Sequence, residues 1–136
     1  MGIFTRFRDI VSANINTMLD NAEDPEKMIR LMIREMEDTL VEIKTSCAGV
    51  MANCKTVQRQ VSDSRAREKD WQQKAELAVS KGRDDLAREA LMEKRRYVSR
   101  KESLENESVE LDGLVEEYQD DIRQLENINQ HPDRGL

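Results

Sequence analysis

Aromatic residues are scarce in this 136-residue chain, at 4%, and it has only two prolines. Its apolar residues are strung out singly instead of being gathered into runs, which weighs against a globular core with an enclosed pocket and so against most enzymes. No stretch approaches the roughly 20 consecutive apolar residues that span a bilayer. Nor is the N-terminus a secretory signal, because Asp9 and polar neighbours interrupt any apolar centre. A cytoplasmic chain is expected, with any membrane contact peripheral. Met1 and Gly2 open like a myristoylation site, but Arg6 stands where that pattern wants Ser or Thr.

Chemistry-bearing residues are equally few. His131 is the sole histidine and sits beside Pro132 in a segment without periodicity, where a catalytic dyad has no rigid support. Cys47 and Cys54 fall seven residues apart on one helical face, about 10 Å from each other, too far for a disulfide. Metal binding needs more ligands than they supply, so both read as buried cysteines in a reducing compartment. The acidic cluster Glu116, Glu117, Asp120 and Asp121 lacks a loop with calcium-ligand spacing. Basic Arg95, Arg96, Arg100 and Lys101 are interleaved with Glu93, Glu102 and Glu105, which argues against direct nucleic-acid binding. With no phosphate loop and no nucleophile constellation either, the residues assign no catalytic, cofactor or metal site, and the chain is expected not to be an enzyme.

What is abundant is charge, 37% of residues, arranged around long apolar stripes. The first stripe steps by four and three through Ile29, Ile33, Met36, Leu40, Ile43, Cys47, Val50, Cys54, Val57, Val61, Ser64, Glu68, Trp71, Ala75 and Ala78, broken only at Ser64 and Glu68. Steps averaging 3.5 residues make a coiled-coil seam. A second, weaker stripe recurs every seven residues through Ala90, Tyr97, Leu104, Leu111, Tyr118 and Leu125, with Leu86, Leu114 and Ile128 beside it. Between them Lys81, Gly82 and Arg83 read as a tight turn near 80–84, with Asp84 placed to cap the second helix. The predicted fold is all-α: a long antiparallel two-helix coiled-coil hairpin over 25–128, each arm a thin rod, the first about 80 Å long. Trp71 reads as a packing residue on the seam, facing the region of Leu91. Residues 129–136 are expected to be a frayed tail.

Asp24 and Pro25 mark the start of the first arm, since Asp caps helices and Pro is welcome in their first turn. Residues 21–24 form a hinge, and 1–20 a separate amphipathic helix whose apolar face carries Ile3, Phe4, Phe7, Ile10, Val11, Ile15, Met18 and Leu19. Both phenylalanines of the chain fall within the first seven residues, flanked by Arg6 and Arg8, the arrangement of an interfacial membrane helix. Residues 1–19 carry two arginines against one acid, while the remainder carries 20 bases against 27 acids. Only this segment suits an anionic lipid surface, and its binding should be modest and reversible. The competing reading packs the same helix against the hairpin or another subunit.

The opening Met1-Gly2-Ile3-Phe4-Thr5-Arg6-Phe7, the hinge Ala22-Glu23-Asp24-Pro25, and the run from Arg30 to Glu42 resemble the family of phage shock protein A and the vesicle-inducing protein in plastids. The likeness continues through Trp71, Lys74 to Ala78 and Asp84 to Leu91, and covers all but the last ten or so residues. It implies a bacterial envelope-stress effector, peripheral on the inner face of the cell membrane, that binds stressed anionic lipid through its N-terminal helix. It also implies that the hairpin binds and inhibits an AAA+ enhancer-binding transcription activator until membrane stress draws the protein away. On this resemblance, together with their mixed charge, Arg30, Arg34, Glu35, Glu37, Asp38 and Glu42 are the expected activator-binding residues. The alternative the resemblance carries is a homo-oligomeric, polymerising membrane-remodelling scaffold, distantly related to endosomal-sorting proteins.

Overall fold

A computed structural model describes residues 20–130, with side chains through Asn127; the expected membrane-binding residues from Ile3 to Leu19, and His131, lie outside the described residues. Helix α1 runs Pro25–Ser80 and helix α2 Asp84–Gln130. The described chain is an all-α hairpin of two long helices packed together, as the two stripes require, and no strand occurs among the described residues.

The ends of these helices follow from local chemistry. Asp24 is the N-cap of α1: its carbonyl accepts from the Met28 N–H at 3.1 Å and its carboxylate from the Lys27 N–H at 3.1 Å. Pro25 then takes the first helical position, where its missing N–H would have had no partner. At the other end Gly82 adopts φ +72°. Around it the Arg83 N–H reaches the Ala78 carbonyl at 2.8 Å and the Gly82 N–H the Val79 carbonyl at 3.0 Å, the paired bonds of a Schellman cap.

The next helix starts one residue earlier than its acidic pair suggests. The Arg83 carbonyl accepts from the Ala87 N–H at 3.0 Å, so Arg83 holds the cap position and Asp84 lies inside the first turn. Asp84 and Asp85 there complement the helix dipole. The Arg83 guanidinium forks onto Asp85 at 3.1 and 3.2 Å and holds its carboxyl below the usual carboxylate range. At its far end α2 continues to Gln130, two residues beyond the expected boundary at Ile128.

Space for a Cβ at Gly82 is open, so replacing it tests the backbone conformation alone. Gly82→Ala should cost about 1 kcal/mol, the penalty of a left-handed L-residue, and lower the thermal midpoint by about 4 °C in circular dichroism. An unchanged midpoint would show that this turn does not need glycine.

Packing divides the hairpin into two units, one of residues up to Gly49 with those from Leu114, the other Val50–Gly113. In the first, Met36 and Ile43 of α1 close on Leu125 of α2, with Leu40, Tyr118 and Ile122 around them. Lys44 bridges to Glu126 at 2.9 Å along its edge. In the second, Cys54, Val57, Val61, Ser64 and Ala75 are buried on α1, and Ala87 and Ala90 on α2. Both cysteines are buried and free. Burial, reinforced by the neighbouring Asp112 carboxylate, pushes the Cys54 thiol up, which keeps it protonated and unreactive.

Candidate functional site

On α1, Met36, Thr39, Ile43 and Cys47 turn inward, so the residues on the opposite side of the helix turn outward. Arg30, Arg34, Glu35, Glu37, Asp38 and Glu42 are all exposed. Arg34 and Asp38 are four apart, as are Arg30 and Arg34, and Glu35 and Glu42 fall on the adjoining row, so one helical surface gathers nearly all of them. Arg30 is paired with Glu26 at 2.5 Å, an exposed i,i+4 contact that stabilises by a few tenths of a kcal/mol. This surface is therefore accessible and mixed in sign.

It is not purely polar. Leu31 is 49% exposed and Val41 63%, interspersed with the charged residues. Sequence reasoning passed over both as contact residues, although each stands off the four-three seam, and an apolar residue off the seam has no core to enter. Exposed apolar side chains ringed by charge are a common feature of protein interfaces.

Near the turn lies a second exposed feature, an open groove of about 700 Å³. Trp71, Leu77, Ala78, Leu86, Ala90 and Met92 supply its apolar lining, with Lys74, Lys81, Arg83, Glu89 and Glu93 among them. The Lys74 ammonium stands 4.3 Å from the Trp71 ring centroid while pairing with Asp70 at 3.2 Å. Ala90, in the region of Leu91 expected to face Trp71, lines the groove with it, while Leu91 itself is exposed. Trp71 is thus half-buried on the seam side and open on the other.

Among the described residues no group of three or more His, Cys, Asp or Glu side chains could hold a metal ion. No described helix is long and apolar enough to cross a membrane. On α2 Asp120 pairs with Arg123, and within the basic run Arg96 pairs with Glu93 at 3.1 Å.

Comparison with known proteins adds a consistent picture. The sequence model of the PspA/IM30 family matches residues 2–131. The membrane-associated protein Vipp1 of Nostoc punctiforme is 37% identical over 118 residues, 84% of this chain and 46% of that protein. The phage shock protein A homolog of Bacillus subtilis is 37% identical over 111 residues, covering 82% of this chain and 46% of the relative. Chloroplastic membrane-associated protein VIPP1 of Arabidopsis thaliana is 31% identical over 127 residues, 93% and 38% respectively. The chain thus spans less than half the length of these relatives.

Proposed function

Because this chain belongs to the PspA/IM30 family, we propose that it is a non-enzymatic membrane-stress effector that passes between two partners. One is anionic membrane, met peripherally from the cytoplasmic side by the apolar face of residues 1–19, with Asn21 to Asp24 as the hinge. The other is an AAA+ enhancer-binding transcription activator, bound and inhibited through the α1 surface of Arg30, Arg34, Glu35, Glu37, Asp38 and Glu42. The membrane half is supported by the names of the relatives, which are membrane-associated proteins, and by the placement of both phenylalanines in the first seven residues.

The observation that carries the activator half is the exposed surface itself: charges of both signs around outward-facing Leu31 and Val41 on one helix. Mixed charge sets orientation and partner choice, and the apolar side chains add burial. Withdrawal from the activator then follows from competition, since lipid lowers the free concentration of the inhibitor.

One assay tests the whole reading. The intact chain should inhibit the activator's ATP hydrolysis, and anionic vesicles should relieve that inhibition. A form lacking residues 1–24 should inhibit equally with or without vesicles. The double charge reversal Arg34→Glu/Glu37→Arg should weaken inhibition at least about tenfold, one lost charge-assisted contact being worth about 1.5 kcal/mol. Full inhibition by the reversed chain would exclude this surface.

A polymerising scaffold is the second reading, and the outward-facing Leu77, Val79, Leu86 and Met92 near the turn favour it. Its signature is concentration-dependent light scattering without any activator.

A further inference from the structure

The two units differ in the chemistry of their seams. On α2 one seam row passes through Ala87, Lys94, Lys101 and Ser108 in the unit that holds the turn, whereas in the other unit the same heptad row holds Val115 and Ile122. On α1 the matching interruption is Ser64, 2% exposed, and Glu68. Two of these polar residues meet. The Lys101 ammonium donates to the Glu68 carboxylate at 2.7 Å, their side chains only 20% and 24% exposed. Nearer the hairpin bend, two turns along α2 and one along α1, Lys94 donates to the Gln72 side-chain carbonyl at 2.7 Å.

A half-buried salt bridge gains modest net stability, because partial desolvation of both ions offsets part of their attraction; an apolar pair of similar volume is commonly as stable or more so. What a seam lysine does provide is selection of partner and alignment. Selection is needed here. Beside the polar pairs the buried residues are Ala75 on α1 and Ala87 and Ala90 on α2, whose small side chains fix the rotation of a helix poorly. On α2 the adjoining row offers exposed Leu91 and half-buried Val98, apolar residues that a rotated helix would bury more deeply. That rotation would draw Lys101 from Glu68 and Lys94 from Gln72. Pairing of like with like between copies fails in the same terms: two α2 seams would bring lysines together, and two α1 seams would bury Glu68 without a cation.

We propose that Glu68–Lys101, backed by Gln72–Lys94, is a pairing code that fixes which face of α2 meets α1 and rejects helix pairings between copies, at a cost in stability. The chain's single tryptophan reports on it, since Trp71 lies three residues from Glu68 on the same seam. In the full chain labelled with 5-fluorotryptophan, the native sequence should give one ¹⁹F resonance. Glu68→Leu/Lys101→Leu should stay helical and raise the thermal midpoint by about 5 °C. Its Trp71 resonance should split or broaden into at least two environments. The swap Glu68→Lys/Lys101→Glu should return a single resonance. A leucine pair that keeps one sharp resonance, or that melts below the native chain, overturns the proposal, as does a swapped chain with a split signal.

Discussion

Replacing Phe4 and Phe7 with glutamate should reduce co-sedimentation with anionic vesicles by at least about 100-fold. Burying a phenylalanine fully is worth about 1.5–3 kcal/mol, and a helix lying in the headgroup region buries its apolar face only in part, so the two together account for about 2–3 kcal/mol. Two carboxylates near an anionic surface add repulsion of about 1 kcal/mol each. The total of about 4 kcal/mol corresponds to nearly a thousandfold, and partial compensation by Ile3, Ile10 and Val11 leaves the lower figure. Salt should act differently. On the proposed function Arg6 and Arg8 add electrostatic attraction that is screened at raised ionic strength, so the native chain should weaken moderately while retaining its apolar component. Binding by the double glutamate chain equal to native would move the lipid surface elsewhere, and the outward-facing Leu77, Val79 and Leu86 near the turn would be the next place to substitute.

How much of this was legible in the sequence depends on which helix is considered. Along α1 the four-three stripe named Met36, Ile43, Cys47, Cys54, Val57, Val61 and Ala75, all of which are buried, because one apolar face alternates there with continuous charge. Along α2 the pattern was blurred. Leu86 and Leu114, read as flanking the stripe, are exposed, and Lys94 and Lys101 occupy seam positions that hydrophobicity alone would not assign. Ser64 and Glu68 looked like defects because a break is visible in one helix while its complement lies in the other: Lys101 is 33 residues from Glu68. Only pairing the helices shows that the break is filled. Thr39, 3% exposed, was missed for a related reason, since threonine reads as polar although it stands three residues from Met36 on the inward side. The exposed surface from Arg30 to Glu42 was legible as charge and illegible as a surface, because outward-facing Leu31 and Val41 are identified only once the core is known.

Leu125→Ala should be the most destabilising single substitution in the terminal unit. Leu125 is 1% exposed, the most buried side chain of its cluster, and it meets Met36 and Ile43 from across the hairpin. Truncating it removes three carbons from a core of only a few side chains, so a loss of about 3 kcal/mol is expected. For a chain of this size that lowers the thermal midpoint by about 10 °C. Val41→Ala supplies the contrast: Val41 is 63% exposed on the same helix, and its truncation should shift the midpoint by no more than about 2 °C. The two substitutions should also separate in function. Leu125→Ala leaves every residue of the α1 surface in place but frees α1 to move, so the inhibition of the activator proposed above should match native when cold and fail early on warming. Val41→Ala should lose inhibition at all temperatures by a small constant factor. Equal melting of the two variants would mean that Met36, Ile43 and Leu125 do not form the stabilising core of this unit.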